Sequence, residues 1–377
     1  MTRREDFFCA LRRQPAPQLI WAPNFDHWFD VNTANGTLPA EYRGMGRNDV
    51  VRAVGGTIWR RVTVVRGRCD ASVKVDVKTD ADSSVARIVT PVGEMRTVHR
   101  RAPDSSHAWF LSEHRVKGVE DMRTLRYVIE ATRYELDPSE YEQQRALVGD
   151  DGILLAPMPC VPFIEFAKVD VGYANAYYLL ADHPGEAQAV LDAYEKSFLE
   201  AFRLAAQSPC ELMTTGDNMD QLTCPPDYFH RYAVPYYQQI AAILHATGKI
   251  AQGHWCGHLD QLVPHVPGCG LDVIEAVTPA PMSGVNMREA MDVLEGRIAV
   301  QGGIPSIYMC EAGCGRSQLA DYIATLLEQV GNCLGFILGM GDNVPTDADF
   351  PRVKMVSDIV DEFNRSRRRS PAVAVPR

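Results

Sequence analysis

The sequence lacks any run of roughly 18 apolar residues, the length that a membrane-spanning helix needs. Its first residues, Met1–Asp6, have no apolar core of the kind found in secretion signals, so we expect a cytoplasmic protein. It also lacks a surplus of basic residues, since 38 lysines and arginines face 48 aspartates and glutamates. The resulting net charge of −10 argues against nucleic acid or an anionic membrane as the main partner.

Two further patterns are missing. The ten cysteines do not have the close spacing of a small disulfide-rich domain, and we expect most of them to be reduced. No Walker loop is present, and no Gly-x-Gly-x-x-Gly motif follows the first predicted strand. A nucleotide-binding doubly wound sheet is therefore not indicated. The 377 residues, 46% of them hydrophobic, are enough for one large domain with a sizeable core.

Strand-like apolar segments alternate with helical segments along the chain, which predicts a parallel sheet. Eight such units indicate an α/β (β/α)8 TIM barrel, whose active site would lie at the carboxyl ends of the strands. We predict one barrel domain over residues 1–364 and a basic, proline-containing, disordered tail over 365–377. The predicted strands are centred on Leu19, Ile58, Ile153, Leu212, Ile250, Val273, Ile298 and Phe336.

The second predicted strand, residues 57–65, is followed by a segment of different character. Residues 73–78 alternate strictly between apolar and polar side chains, and 85–90 and 95–99 alternate again after turns. This pattern is typical of antiparallel strands with one solvated face. We therefore predict a β-meander inserted into the barrel at about residues 70–100.

Polar residues gather where the predicted strands end. A loop cap explains any one of them equally well, but a convergent set favours a site. We expect Asn24, Asp26, His27, Asn218 and Gln252 to bind substrate, and Asp217 and Asp220 to act in catalysis. Because no arginine or lysine appears among these residues, we expect a neutral or cationic small substrate.

His254 and Cys256 are two residues apart at the end of a predicted strand, so their side chains should point to the same side. Gly253 and Gly257 would leave room beside them for a bound atom or substrate. Imidazole and thiolate are a favoured ligand pair for Zn²⁺. Further candidate ligands are Glu275, at the end of the adjacent strand, and either Asp342 or Cys333. The alternative is that His254 and Cys256 only pack in the core.

The chain resembles the uroporphyrinogen decarboxylase superfamily from about residue 159 to 362, which implies a (β/α)8 barrel. The matching segments are Gly216–Asp220, Gly248–Lys249, His254–Gly257, Asp272–Glu275, Gly302–Pro305, Gly335–Leu338 and Asn343–Pro345.

Two branches of this superfamily differ at the site. The decarboxylase branch carries an arginine-rich segment near the amino terminus, and residues 20–27 here contain no arginine. The cobalamin-dependent methyltransferases hold zinc through a His-x-Cys pair and a later cysteine. His254 and Cys256 match the pair, whereas the later cysteine falls near Asp342. Asp342 could be a carboxylate ligand, Cys333 could substitute, or the metal could be bound differently or not at all.

The resemblance implies a zinc-dependent methyltransferase that moves a methyl group between a small substrate and a corrinoid. A separate protein would carry the methylcobalamin, because no Asp-x-His-x-x-Gly cobalamin-binding segment is present. A homodimer is compatible with the sequence. The alternatives are a uroporphyrinogen-decarboxylase-like lyase on the same barrel and a barrel that binds without catalysis.

Overall fold

The computed structural model describes residues 1–103 and 108–369. Its strands are β1 (Trp21–Ala22), β2 (Ile58–Arg61), β3 (Val65–Cys69), β4 (Lys74–Thr79), β5 (Ser83–Thr90), β6 (Gly93–Arg101), β7 (Trp109–Glu113), β8 (Thr132–Leu136), β9 (Gly152–Met158), β10 (Leu212–Thr215), β11 (Ile250–His254), β12 (Val273–Val277), β13 (Ala299–Ile304) and β14 (Phe336–Met340). Its α-helices are α1 (Arg3–Leu11), α2 (Asp26–Asn35), α3 (Arg47–Ala53), α4 (Val119–Glu130), α5 (Ser139–Val148), α6 (Pro162–Ile164), α7 (Tyr173–Asp182), α8 (Pro184–Ala205), α9 (Pro226–Tyr228), α10 (Val234–His245), α11 (Met287–Leu294), α12 (Arg316–Val330) and α13 (Pro351–Arg369).

Eight of these strands form a parallel sheet in the order β1-β14-β13-β12-β11-β10-β9-β2. The two outer strands of this order approach one another, because the amide of Thr57 donates to the carbonyl of Trp21 (2.8 Å). Helices connect the strands from β9 onwards. The sheet is a nearly closed (β/α)8 barrel, and the predicted fold class is confirmed.

Apolar side chains fill the barrel interior, and helix α1 covers its amino-terminal end. Phe7, Phe8 and Leu11 of α1 pack into the interior cluster. Charged side chains at the same end hold the helix, since Arg4 pairs with Glu211 just before β10. The barrel is thus plugged at one end and open only at the carboxyl ends of its strands. Its interior is lined by Ile20, Ala22, Ile153, Leu155, Leu212, Ile250, Val273, Ala299 and Ile337.

The predicted insertion is present as a four-stranded antiparallel sheet in the order β4-β5-β6-β7. It is longer than the sequence indicated, because β7 lies beyond residue 100. A separate antiparallel pair, β3 with β8, also lies outside the barrel.

A buried ion pair ties the end of the insertion to the barrel. Arg115 donates from Nε to Oδ1 of Asp170 (2.7 Å), and the hydroxyl of Tyr194 donates to Oδ2 (2.7 Å). The side chain of Asp170 is fully buried. Asp170 belongs to a π-helical segment, Glu165–Val171, that interrupts the path from β9 to α7.

Three helical regions differ from the sequence-based expectation. The sequence over 226–247 predicts one long helix, but the structure has a π-helical turn, Phe229–Ala233, between α9 and α10. The sequence over 259–266 predicts the start of a helix, but the structure has a 3₁₀ segment, Val263–Gly268, which contains two prolines that cannot donate helical hydrogen bonds. Helix α13 continues to Arg369, so the predicted tail begins inside a helix, and residues 370–377 lie outside the described part. Within the described ranges, no helix has the length and apolar character to span a membrane.

Candidate active site at the open end of the barrel

His254 and Glu275 form the centre of the open end. They are register partners on the adjacent strands β11 and β12. Nδ1 of His254 lies 2.5 Å from Oε2 of Glu275, and both side chains are largely buried. Burial opposes a charge on the imidazole, but the Glu275 carboxylate raises the pKa of His254 well above its usual value. With Nδ1 bound to Glu275, Nε2 is left to face the mouth of the barrel.

Asp342 faces that free nitrogen from the loop after β14. Its Oδ1 lies 3.8 Å from Nε2 of His254. The backbone of Asp342 has a positive φ of 143°, which is costly for a non-glycine residue and frequent at functional sites. Asn24 donates from its side chain to the Asp342 carbonyl (3.0 Å), and Asn343 donates to its carboxylate (2.9 Å). Burial raises the pKa of Asp342.

The donor atoms around His254 fit a zinc ion in their chemistry. Zinc lies roughly 2.0–2.2 Å from nitrogen and oxygen ligands, so one ion can span the gap between Nε2 of His254 and Oδ1 of Asp342. The Cys256 thiol interacts with the same imidazole and adds a sulfur donor. Residues 1–103 and 108–369 contain no ready-made group of three or more His, Cys, Asp or Glu side chains in a metal-binding arrangement. Binding therefore requires Cys256 and Asp342 to turn towards one point.

Glycines beside this pair do not create an open space, contrary to the sequence-based expectation. A Cβ atom at Gly253 would lie 2.4 Å from Nε1 of the buried Trp255. A Cβ atom at Gly257 would lie 2.3 Å from Cβ of Asp220. Protein side chains already occupy the room that these glycines leave, so the glycines permit close packing of the loops around the site.

Asp217 is a fully buried carboxylate rather than an open one. The amide of Val161 donates to Oδ1 (2.8 Å), and the hydroxyls of Thr215 and Tyr237 donate to Oδ2. Burial raises the pKa of Asp217. These contacts join the loop after β9 to the loop after β10.

Asp220 and Asn218 lie nearer the rim. Oδ2 of Asp220 is 3.1 Å from Nδ1 of His258, and Oδ1 accepts from the amide of Leu222 (2.7 Å). Asn218 is exposed and has a positive φ of 50°, a conformation that asparagine tolerates. The rim therefore carries an accessible carboxylate–imidazole pair.

Gln252 lies one layer deeper than His254 on β11. Its amide nitrogen is 3.3 Å from Oγ1 of Thr214 on β10. Its Oε1 atom is buried and has no hydrogen-bond partner among the described residues.

Of three further predicted residues, Asp26 and His27 lie on the helix that follows β1, whereas Cys333 lies away from the mouth. Asp26 begins α2, where a helix favours an acidic residue, and its carboxylate pairs with Arg47 (3.1 Å). His27 is exposed on the same helix. Cys333 precedes β14 and so lies at the plugged end of the barrel, with its sulfur 3.0 Å from Arg288. A five-residue strand of roughly 16 Å separates that end from the mouth, so Cys333 is not brought to His254.

Sequence reasoning missed Arg61. The β-branched run over 57–65 predicted one long strand, but β2 ends at Arg61, which places this arginine at the mouth. Lys168 also approaches the mouth, where its ammonium group donates to the Gly216 carbonyl (2.5 Å). The premise that basic residues are absent from the strand ends is therefore wrong. Strand alternation could have indicated its direction, because Arg61 follows Trp59 by two residues and both side chains face the same side of β2.

The structure is an α/β barrel with a polar mouth at the carboxyl ends of its strands. The family model described as uroporphyrinogen decarboxylase (URO-D) matches residues 100–363, and the chain belongs to this family. The predicted superfamily is thereby confirmed. No curated protein matches the chain.

A solved structure shows the same fold. A methyltransferase from Methanosarcina mazei superposes with a TM-score of 0.61 at 11% identity, over 96% of this chain and 99% of that chain. D-psicose 3-epimerase from Clostridium cellulolyticum H10 has a TM-score of 0.36 at 12% identity, over 61% and 84% of the two chains.

Proposed function

We propose that the protein is a zinc-dependent methyltransferase that moves a methyl group between a small substrate and a corrinoid carried by a partner protein. The observation that carries this proposal is the orientation of His254. Its Nδ1 atom is bound to Glu275, its Nε2 atom lies 3.8 Å from Oδ1 of Asp342, and the Cys256 thiol interacts with the same ring. The barrel of the Methanosarcina mazei methyltransferase, which matches over nearly the whole of both chains, gives further support.

In this proposal, His254, Cys256 and Asp342 hold the metal, and Glu275 orients the imidazole. A carboxylate that accepts the second ring N–H of a metal-binding histidine fixes its tautomer. Zinc, when bound, lowers the pKa of a thiol or similar acceptor and so supplies a nucleophile at neutral pH. The side-chain amide of Asn24 donates to the backbone carbonyl of Asp342 and so holds this loop in place.

Asp220 and His258 handle protons at the rim. Their side chains lie 3.1 Å apart, and the Asp220 carboxylate is partly exposed. A proton released by an acceptor, or required by a leaving group, can be held on this pair. Asp217 keeps the loops after β9 and β10 in place, because its carboxylate accepts from groups of both.

Two measurements on the purified protein test the proposal. Zinc content is determined after purification and after incubation with added zinc. Methyl transfer is followed by the absorbance of methylcobalamin, supplied free, in the presence of a small thiol. We expect close to one zinc per chain and thiol-dependent loss of methylcobalamin. A protein that neither contains nor takes up zinc contradicts the proposal, and decarboxylation of uroporphyrinogen would favour the lyase alternative.

A further inference from the structure

Arg61 points into the barrel. It follows Trp59 by two residues on β2, and alternate residues of a strand face the same side. Trp59 packs against the apolar cluster that fills the barrel interior. The guanidinium of Arg61 lies over the Trp59 ring, 4.8 Å from its centroid. Arg61 therefore forms part of the inner wall at the open end.

Among the residues that the structure describes, no carboxylate contacts the guanidinium of Arg61. Within the described residues, no aspartate or glutamate oxygen lies within ion-pair distance of its guanidinium. The same mouth contains Asp342, whose carboxyl group feels the charge of Arg61 without contacting it. A half-buried arginine with five N–H donors and no ion pair to a described residue is suited to bind a planar anionic group from outside.

Gln252 provides an independent sign of a ligand. Its side chain is 1% exposed, and its Oε1 atom has no donor among the described residues. A buried acceptor without a partner is destabilising, and a donor on a bound molecule would relieve this cost. Gln252 lies on β11, three strands from β2 in the barrel order. Gln252 precedes His254 by two residues on β11, so its side chain faces the barrel interior, as that of Arg61 does.

We infer that the small substrate of this site is an organic acid that also carries an N–H or O–H donor. Its carboxylate would bind Arg61, and its donor would bind Oε1 of Gln252. The inference rests on the proposed function, because it treats this mouth as the methyl-transfer site. It replaces the expectation of a neutral or cationic substrate, since that expectation assumed a mouth without arginine.

A matched series of three thiols tests the inference by calorimetry. L-homocysteine carries the carboxylate and the ammonium donor, 4-mercaptobutyrate lacks the donor, and 3-aminopropane-1-thiol lacks the carboxylate. We expect homocysteine to bind most tightly to the protein. Removal of the carboxylate should weaken binding about 10- to 100-fold, the usual effect of one charge-assisted hydrogen bond.

Variants of Arg61 and Gln252 test which residue recognises the carboxylate and which recognises the donor. In Arg61→Gln, homocysteine should bind only as tightly as 3-aminopropane-1-thiol, whose own affinity should not change. In Gln252→Leu, homocysteine should fall to the level of 4-mercaptobutyrate. Arg60→Gln is the matched control, because Arg60 is the neighbouring arginine on the outer face of β2.

Each outcome bears on one idea. Equal affinity for all three thiols, or no binding by any at roughly 10 mM, overturns the inference. A carboxylate preference that survives in Arg61→Gln overturns the role of Arg61, and a loss of it in Arg60→Gln does the same. Methyl transfer without a preference for the acid leaves the proposed function intact and removes only this inference. A preference for the acid with no zinc and no methyl transfer removes the proposed function instead.

Discussion

Nδ1 of His254 lies 2.5 Å from Oε2 of Glu275 on the neighbouring strand. This contact decides which edge of the imidazole faces the barrel mouth. A histidine at the same position without Glu275 could present either nitrogen. The pairing is set by the parallel register of β11 and β12, in which the two residues lie opposite each other.

Cys256→Ser should lower zinc content to a small fraction of the wild-type value while leaving the melting temperature within a few degrees. The hydroxyl keeps the size of the thiol but is a much poorer zinc ligand. Metal analysis and circular dichroism check the two parts. Cys69→Ser is the control, since Cys69 is exposed in β3, outside the barrel. Unchanged zinc content in Cys256→Ser would contradict the assigned ligand.

Glu275→Gln and Asp342→Asn should both weaken zinc binding, but to different degrees. Loss of the orienting carboxylate should weaken zinc binding about 10- to 100-fold, as is usual for residues behind the ligands. Loss of a direct oxygen ligand should weaken it more. Competition with a chromogenic chelator measures both affinities. Glu289→Gln is a control on an exposed helix position. A larger loss of zinc affinity in Glu275→Gln would indicate that Glu275 is the direct ligand and Asp342 the orienting residue.

Asp217→Asn should reduce stability by about 1–3 kcal/mol, because the new amide nitrogen would face a group that now donates to a carboxylate oxygen. Zinc content should stay unchanged, since Asp217 makes its contacts to Val161, Thr215 and Tyr237. Denaturant unfolding and metal analysis test this. Asp227→Asn, at an exposed position, is the control. Loss of metal without loss of stability would refute the positioning role.

Arg115→Met should cost about 3–5 kcal/mol, because it leaves the fully buried Asp170 without its counter-ion. The double variant Arg115→Met/Asp170→Leu should recover part of that loss. Arg96→Met breaks an exposed ion pair with Glu113 in the same insertion and should cost under about 1 kcal/mol. Urea unfolding of the four proteins compares them. Similar losses for Arg115→Met and Arg96→Met would show that burial adds nothing to the pair.

The alternation of strands and helices was readable from the sequence because buried parallel strands are short apolar runs. The patterns over Ser139–Val148 and Met287–Leu294 predict helices with the bounds that the structure has. Six of the eight predicted strand centres lie within barrel strands, while Leu19 and Ile298 lie just before β1 and β13. The neighbourhood of His254, Glu275 and Asp342 followed from the barrel, since strand ends converge at one face.

Side-chain direction and pairing could not be read in the same way. Asp217 looked like an open catalytic carboxylate, and its burial depends on Tyr237, twenty residues away on α10. Arg61 was hidden because nothing local in the run over 57–65 marks where the barrel strand ends. Cys333 is close to Asp342 in sequence, which makes it a candidate ligand, but the whole of β14 separates the two residues in space.

Helix α1 seals the end of the barrel opposite His254, with Phe7, Phe8 and Leu11. All reactants therefore enter through the same mouth of the barrel. A protein that delivers a methyl group by docking over this mouth would block the passage of small molecules. We therefore expect a compulsory order, in which the small substrate enters before the carrier protein docks and the small product leaves only after the carrier has departed.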